Sequence, residues 1–175
     1  MKTAKLVLVG ESGVGKTSLT RRLSNGTFDK FECSTIGAAY SSIRHQYEDG
    51  EVVCFNVWDT AGQERFHALI PMYYRGADAA RVCVDRNTSD EQRRYWIDDA
   101  RAHCDNVIVV GMRCDMGRAA DPVEVQTSAA TSEGCEELLR FVARYASESK
   151  QSGAMSVQSP GSRVDGRWGA CCART

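Results

Sequence analysis

The chain has 175 residues, of which 42% are hydrophobic and 26% charged, and its formal net charge is −1. This near-neutral balance excludes a strongly basic nucleic-acid binder and an acidic disordered chain. No apolar run approaches the ~18 residues of a membrane span, and the short apolar run at the N-terminus leads into a glycine loop, unlike a signal peptide. Residues 149–175 are rich in Ser, Gly and Arg, so we expect one domain over residues 1–148 and a flexible tail over residues 149–175.

Six of the eight cysteines are scattered along the expected domain, and the sequence contains no Cys-x-x-Cys pair. This pattern indicates the reduced thiols of a cytoplasmic protein rather than a disulfide framework. The three histidines are isolated from one another, which argues against a histidine-rich metal site. The six scattered cysteines are Cys33, Cys54, Cys83, Cys104, Cys114 and Cys135.

The hydrophobic pattern predicts strands that alternate with helices. A turn of sequence Glu48-Asp49-Gly50 lies between two segments rich in β-branched and aromatic residues, which indicates a hairpin. The order of elements predicts an α/β fold with a doubly wound, mostly parallel sheet and one β-hairpin. The predicted strands are residues 4–9, 38–47, 51–59, 79–85 and 107–111, and the predicted helices are residues 16–25, 90–103 and 133–147.

The first predicted strand is followed by a phosphate-binding loop of the pattern G-x-x-x-x-G-K-[ST]. Its glycines let successive N–H groups point at phosphate oxygens, and the helix that follows adds its dipole. Lys16 supplies a charge for the β- and γ-phosphates, and the Thr17 hydroxyl is a ligand for Mg²⁺. Kinases, ATPases and GTPases share this loop, so it leaves the base and the reaction open. The loop consists of Gly10, Glu11, Ser12, Gly13, Val14, Gly15, Lys16 and Thr17.

The end of the third predicted strand carries a second polar group of the site. Asp59 stands at the end of that strand, and a carboxylate at this position beside the phosphate loop can hold Mg²⁺. Gly62 can offer its backbone N–H to a γ-phosphate without a side-chain clash. Gln63 can orient the attacking water, the role of a glutamine in GTPases.

Residues 58–66, Trp-Asp-Thr-Ala-Gly-Gln-Glu-Arg-Phe, resemble the second switch of Rab-type small GTPases. Residues 72–78 resemble the segment that follows it, and residues 34–40 resemble the first switch of the early-endosomal Rab subgroup. The resemblance is nearly continuous over residues 5–80. It implies that Thr35 closes over Mg²⁺ and the γ-phosphate, that Phe28 packs against guanine, and that effectors read the aromatic triad of Tyr40, Trp58 and Tyr73.

The second half of the chain departs from this family. Where the family reads guanine with Asn-Lys-x-Asp, residues 112–115 are Met-Arg-Cys-Asp. The resemblance implies that Asp115 accepts hydrogen bonds from guanine and that the stem of Arg113 covers the base, while the lost amide costs ~1–3 kcal/mol. The second base motif, Ser-Ala-Lys in the family, is here Ser128, Ala129 and Ala130, in which Ala129 still offers its N–H to the base.

Two further departures affect the predicted sheet. Arg81 occupies a core position of the fourth strand, where it needs a partner or must extend to solvent. Only residues 116–122 separate Asp115 from the candidate strand 123–127, so the helix that the family has there is missing. The last strand therefore pairs differently, forms a short extended segment or leaves the sheet, and apolar surface is expected to be exposed. A damaged or wrongly assembled coding sequence is the alternative explanation.

The tail carries a paired-cysteine ending. Cys171 and Cys172 precede the last three residues and resemble the Rab endings that are prenylated on both cysteines. Two lipid chains give stable membrane anchoring. The basic residues of the tail outnumber its acidic ones, which favours an anionic leaflet.

The resemblance implies a monomeric regulator of vesicle trafficking that switches between GTP and GDP, requires Mg²⁺ and slowly hydrolyses GTP. It implies an exchange factor, a GAP, effectors and a prenyl-binding escort as partners, and a place on the cytosolic face of endosomal or other trafficking membranes. The alternative is a degenerate GTPase that acts as a membrane-tethered binding module with weak or no hydrolysis. An ATPase or nucleoside kinase fits the phosphate loop but not Thr35, Gln63 or Asp115.

Overall fold

The computed structural model describes residues 1–120 and 122–148. Its strands are β1 (Lys2–Val9), β2 (Ala38–Gln46), β3 (Val52–Thr60), β4 (Ala79–Val84), β5 (Val107–Gly111), β6 (Val125–Gln126) and β7 (Ser147–Glu148). Its α-helices are α1 (Lys16–Asn25), α2 (Ile70–Tyr74), α3 (Asp90–Arg101) and α4 (Cys135–Ala143). Two segments, Glu64–Leu69 and Cys114–Met116, are 3-10 helices.

The strands form one sheet in the order β2-β3-β1-β4-β5-β6, and β7 pairs with the start of β1. The five consecutive strands β3-β1-β4-β5-β6 of this order are parallel to one another. The edge strand β2 is antiparallel to β3. This arrangement confirms the predicted α/β fold with a mostly parallel sheet and one hairpin. None of the helices within residues 1–120 and 122–148 has the length and apolar character needed to cross a membrane.

Both faces of the sheet are covered, as parallel strands require. Successive residues of β1 alternate between the two faces, so that Leu6 and Leu8 pack with α1 and α4 whereas Val7 and Val9 pack with α2 and α3. Trp96 is the largest fully buried side chain on the α3 face. The sheet thus fixes the carboxyl end of β1, from which the phosphate loop emerges.

The helix predicted over residues 133–147 is wrong at its end. The observed helix α4 stops at Ala143, and Ser147 pairs as a strand with Thr3 of β1. The physical reason is the free edge of β1, because β4 pairs with β1 only from Leu6 onward. The backbone groups of Lys2 and Thr3 are therefore open to a short antiparallel partner.

The shortened connection between β5 and β6 contains no α-helix within residues 112–120 and 122–124, as its length predicts. Of the three outcomes considered for the last strand, the short extended segment is correct. β6 has two residues and runs parallel to β5, with Val125 beside Val110 and Gln126 beside Gly111. The sheet order therefore survives the loss of the helix.

The predicted exposure of apolar surface does not occur on β5, because the connection itself covers the sheet there, whereas Met116 of the connection is 56% exposed. The Gln126 amide donates to the carbonyl of Ala119 at 2.9 Å and accepts from its N–H at 3.3 Å. Ala119 is 5% exposed and Val109 of β5 is 7% exposed. The Glu124 carboxylate also accepts the N–H of Val109 at 2.6 Å. Side-chain amide and carboxylate groups thus hold the connection in place of helix packing.

Arg81 of β4 is 0% exposed, and none of its guanidinium nitrogens has a hydrogen-bond partner. The expectation that it would find a partner or extend to solvent is therefore wrong. Burial lowers the pKa of Arg81 to about 10, so that it stays protonated at neutral pH. The Tyr47 hydroxyl is also buried without a partner, and burial raises its pKa to about 12. An uncompensated charge in the core costs stability.

Replacing Arg81 by the apolar residue that the strand pattern calls for should stabilise the protein. We expect Arg81→Ile to raise the free energy of unfolding by about 1–4 kcal/mol, because it removes an unpaired buried charge. Thermal or urea unfolding measures the change. The control is Arg44→Ile on β2, whose side chain is exposed, and which should change stability by less than about 0.5 kcal/mol. An unchanged or lower stability of Arg81→Ile would contradict the unpaired state of this side chain.

Candidate nucleotide-binding site

A cleft of about 360 Å³ lies at the carboxyl ends of the parallel strands, where ligands of open α/β sheets bind. Residues of the phosphate loop form one wall of the cleft, and the segment from Phe28 to Thr35, which reaches the start of the predicted first switch, contributes to another. Thr60 and Gly62 contribute from the end of β3, and Arg113 and Met116 from the end of β5. Phosphate, switch and base segments therefore share one cleft.

The phosphate loop depends on two glycines whose backbone other residues rarely adopt. Gly10 has φ 137°, and a Cβ there would collide with the carbonyl of Cys83. Gly15 has φ 106° and forms the N-cap of α1. These conformations turn the chain from β1 into α1 and aim the start of that helix at the cleft.

The Lys16 side chain folds back over the loop. Its ammonium group donates to the carbonyl of Gly10 at 2.7 Å and to that of Glu11 at 2.8 Å. Lys16 is 6% exposed, and burial lowers its pKa. The loop carbonyls therefore stabilise a nearly buried cation at the place where the motif puts phosphate oxygens.

Three oxygen-bearing side chains meet beside Lys16. The Thr17 hydroxyl donates to Oδ2 of Asp59 at 2.6 Å and lies 2.7 Å from the Thr35 hydroxyl. Asp59 is 1% exposed, its Oδ1 has no hydrogen-bond partner, and burial raises its pKa. Hydroxyl and carboxylate oxygens are the hard ligands that Mg²⁺ prefers. The donor set and the unpartnered buried oxygen fit a magnesium ion.

Gly62 packs directly on the phosphate loop. A Cβ at this residue would lie 2.5 Å from the backbone nitrogen of Ser12, so a larger residue would have to push the loop away. The neighbouring Gln63 is half-buried and does not form part of the cleft wall; Oε1 of its side-chain amide accepts from the Arg65 guanidinium at 2.8 Å. The structure therefore places Gly62 in the site and Gln63 at its border.

The base side of the cleft is only partly assembled from the predicted residues. Phe28 and Arg113 line it, and so does Met116, which the sequence analysis missed although it directly follows Asp115. Asp115 is exposed outside the cleft wall. Arg113 has a left-handed backbone with φ 54°, and its guanidinium pairs with the Asp85 carboxylate. The Arg113 head is thus directed to a carboxylate.

Met112 stands where the family has an asparagine, and it makes apolar contacts in place of the amide hydrogen bonds. It is 2% exposed, and its methyl carbon lies 3.8 Å from where a Cβ of Gly15 would be. Its backbone N–H donates to the carbonyl of Val84 at 2.7 Å, and the Thr127 hydroxyl lies 3.6 Å from its sulfur. Contact with the phosphate loop is therefore apolar at this residue.

The second base segment, Ser128, Ala129 and Ala130, also lies outside the cleft wall. It adjoins the first, because the Cys114 N–H donates to the carbonyl of Thr127 at 3.0 Å. Arg22 of α1, which no sequence signal singles out, donates to the carbonyls of Ala129 at 2.6 Å and Ala130 at 3.1 Å. Helix α1 thus holds the base segment next to the phosphate loop.

The three predicted effector-reading aromatics form one surface cluster. The Trp58 ring lies 5.4 Å, between centroids, from Tyr40 on one side and from Tyr73 on the other. Tyr40 is 55% exposed, and its hydroxyl donates to Asn56 at 2.9 Å. The cluster is continuous although its members come from β2, β3 and α2. Cys171 and Cys172, predicted for lipidation, lie outside the described residues.

Residues 5–115 match the protein family described as "Ras of Complex, Roc, domain of DAPkinase". The chain belongs to the Ras-type GTPases. Within this family it is similar to the "Ras-related protein Rab5A" of Oryza sativa subsp. japonica, with 43% identity over 128 residues, which cover 72% of this chain and 61% of the rice protein. It is also similar to the "GTP-binding protein YPT52" of Saccharomyces cerevisiae, with 37% identity over 158 residues, which cover 84% and 68% of the two chains. These matches confirm the resemblance to the early-endosomal Rab subgroup.

The exposed Asp115 gives this GTPase a direct test of base recognition. We expect Asp115→Asn to shift preference from guanosine toward xanthosine nucleotides by about tenfold or more, because the amide donates where the carboxylate accepts. Competition of xanthosine and guanosine diphosphates against a labelled nucleotide measures the shift. Asp105→Asn, an exposed change outside the cleft, is the control. An unchanged preference in Asp115→Asn would mean that Asp115 does not read the base.

Proposed function

We propose that this chain is a Rab-like switch that binds GTP and GDP with Mg²⁺, slowly hydrolyses GTP and regulates vesicle trafficking. The observation that carries the proposal is the cluster of Thr17, Thr35 and Asp59 beside Lys16, with one buried Asp59 oxygen unpartnered. A buried carboxylate of this kind is stabilised by a cation. Its position against the phosphate loop supports a nucleotide phosphate as the second ligand of that cation.

The phosphate chain would lie along the loop, with the Lys16 ammonium at the β- and γ-phosphates. The Lys16 contacts to the loop carbonyls hold this charge in place before the nucleotide arrives. The close approach of Gly62 to the loop allows its backbone N–H to donate to the γ-phosphate. Mg²⁺, which Thr17, Thr35 and Asp59 would hold, supplies charge neutralisation at the phosphate oxygens.

Hydrolysis would proceed by in-line attack of a water that Gln63 orients. The Gln63 amide must leave Arg65, to which it now bonds, before it can hold this water. Arg113 is the one arginine in the described wall of the cleft, and its guanidinium already pairs with Asp85. We therefore expect slow intrinsic turnover and acceleration by an arginine from a GAP.

Switching would follow from the contacts between the two switch segments and the loop. Thr35 touches Thr17, and the N–H of Ala61 donates to the carbonyl of Gly37 at 2.8 Å, so the two segments are joined to each other. Loss of the γ-phosphate would release Thr35 and Gly62 together. Effectors would read the change on the surface of Tyr40, Trp58 and Tyr73.

The partners and location in this proposal follow from the resemblance to Rab-type GTPases. They are an exchange factor, a GAP, effectors and a prenyl-binding escort, with residues 1–148 as a monomeric GTPase domain. Prenylation of Cys171 and Cys172 would place the protein on the cytosolic face of endosomal or other trafficking membranes.

A degenerate binding module is the second candidate, and the base side of the cleft favours it. Met112 makes apolar contact where the family has an amide, and Asp115 and residues 128–130 lie outside the cleft wall. In such a module nucleotide would bind weakly or exchange fast, and the switch surface would change little.

Titration of labelled GDP, GTP and ATP, each with and without Mg²⁺, separates the two candidates. We expect guanine-selective binding that Mg²⁺ strengthens, and loss of this strengthening in Asp59→Ala. The matched control is Asp105→Ala, which should bind like the unaltered chain. No binding of any nucleotide would favour the module, and preference for ATP would contradict the proposed guanine specificity.

Gln63→Leu tests the hydrolytic role. We expect it to slow single-turnover GTP hydrolysis about 10- to 100-fold, because the attacking water loses its positioning group, while GTP binding stays similar. Single-turnover phosphate release measures the rate. Gln46→Leu, an exposed change on β2, should hydrolyse at the unaltered rate. Equal rates for Gln63→Leu and the unaltered chain would exclude this role.

A further inference from the structure

The phosphate loop is joined to helix α3 through a buried indole. Trp96 is 0% exposed, and its Nε1–H donates to a carboxylate oxygen of Glu11 at 2.9 Å. The backbone carbonyl of the same Glu11 accepts from the Lys16 ammonium. One residue of the loop therefore connects the phosphate-binding lysine with α3.

The ring of the same indole contacts the segment that follows Gln63. The ring of His67, in the 3-10 helix Glu64–Leu69, lies 4.8 Å from the Trp96 ring, edge to face. The adjacent Tyr95 stacks on His67 at 5.7 Å, and its hydroxyl lies 3.2 Å from Nδ1 of the imidazole. Nε2 of His67 is buried without a partner. The rings of Tyr95 and Trp96 on α3 thus fix residues 64–69 through their contacts with His67.

Helix α3 is a firm support for both contacts. Its N-terminus has a complete capping box between Ser89 and Gln92. The Tyr74 hydroxyl at the end of α2 donates to Asp99 of α3 at 2.9 Å, so the segment that follows the second switch is attached to α3 as well. A buried indole in a close-packed core cannot shift on one side without disturbing its contacts on the other.

We propose that Trp96 is a positioning residue that couples the phosphate loop, through Glu11, to residues 64–69, through His67. The inference rests on the proposed nucleotide site for its functional consequence. This connection involves no γ-phosphate, so it operates in the GDP form, in which Thr35 and Gly62 have nothing to grip. Movement of residues 64–69 then changes how firmly the loop holds the diphosphate, and by reciprocity the diphosphate restrains residues 64–69.

Hydrogen exchange of the peptide that covers residues 64–69, in the full chain, tests the coupling. Glu11→Met removes the acceptor, and we expect it to speed exchange of this peptide about threefold or more. Glu11→Gln keeps an acceptor oxygen and should stay near the unaltered rate. Glu48→Met, an exposed change in the β2–β3 turn, is the matched control.

The decisive comparison repeats Glu11→Met in a Trp96→Phe background. Phenylalanine keeps a ring against His67 and removes the N–H, so Glu11→Met should then have no further effect on exchange. The inference is overturned if Glu11→Met leaves exchange of residues 64–69 unchanged, or if its effect is equally large with Phe at this position.

The reciprocal readout is the release rate of labelled GDP. His67→Leu lies outside the cleft and should speed release about threefold or more, and this effect should disappear when combined with Glu11→Met. Additive effects of the two changes would overturn the coupling.

Failure of the proposed function looks different from failure of the inference. If the chain binds no nucleotide, the release assay has no signal, yet exchange of residues 64–69 in the nucleotide-free chain still responds to Glu11→Met when the coupling exists. If nucleotide binds and exchange is insensitive to Glu11→Met, the nucleotide site stands and the coupling does not.

Discussion

The Asp59 carboxylate is almost completely buried, and a buried anion needs hydrogen-bond donors or a cation beside it. The residues around it are placed to meet that need. Asp59 lies opposite Leu8 in the pairing of β1 with β3, and the neighbouring Thr60 hydroxyl donates to the carbonyl of Leu8 at 2.6 Å. The strand register therefore delivers the carboxylate to the base of the phosphate loop. Because β2 pairs with β3 up to Ala38 opposite Thr60, the same register brings Thr35 to Thr17.

The phosphate and base sides of the cleft are built on different principles. On the phosphate side, short polar contacts of Lys16 with the loop carbonyls and of Thr17 with Asp59 define the geometry. On the base side, Met112 packs by shape and Arg113 is held by an ion pair. Polar contacts are directional, whereas apolar packing tolerates rearrangement. In the proposed nucleotide site, the phosphates would therefore supply most of the binding affinity.

The parts predicted from sequence are those whose signal is local. The phosphate loop has a fixed spacing between glycine and Lys16, so the motif alone locates it, and the missing helix follows from counting the residues after Asp115. Contacts between distant segments left no such signal. Trp96 and Glu11 lie 85 positions apart, and Arg22 reaches Ala129 across 107. Nor does the pattern of residues 133–147 reveal that the free edge of β1 captures Ser147.

The pairing of β7 with the start of β1 has a consequence for the proposed membrane anchor. β1 runs from this pairing to the phosphate loop, so the chain leaves the described domain at the pole opposite the nucleotide cleft. An eight-residue strand at ~3.3 Å per residue separates the two by roughly 25 Å. Under the proposed lipid anchoring, the peptide that follows Glu148 would therefore start on the side of the domain away from the cleft, so the anchor need not cross the nucleotide site.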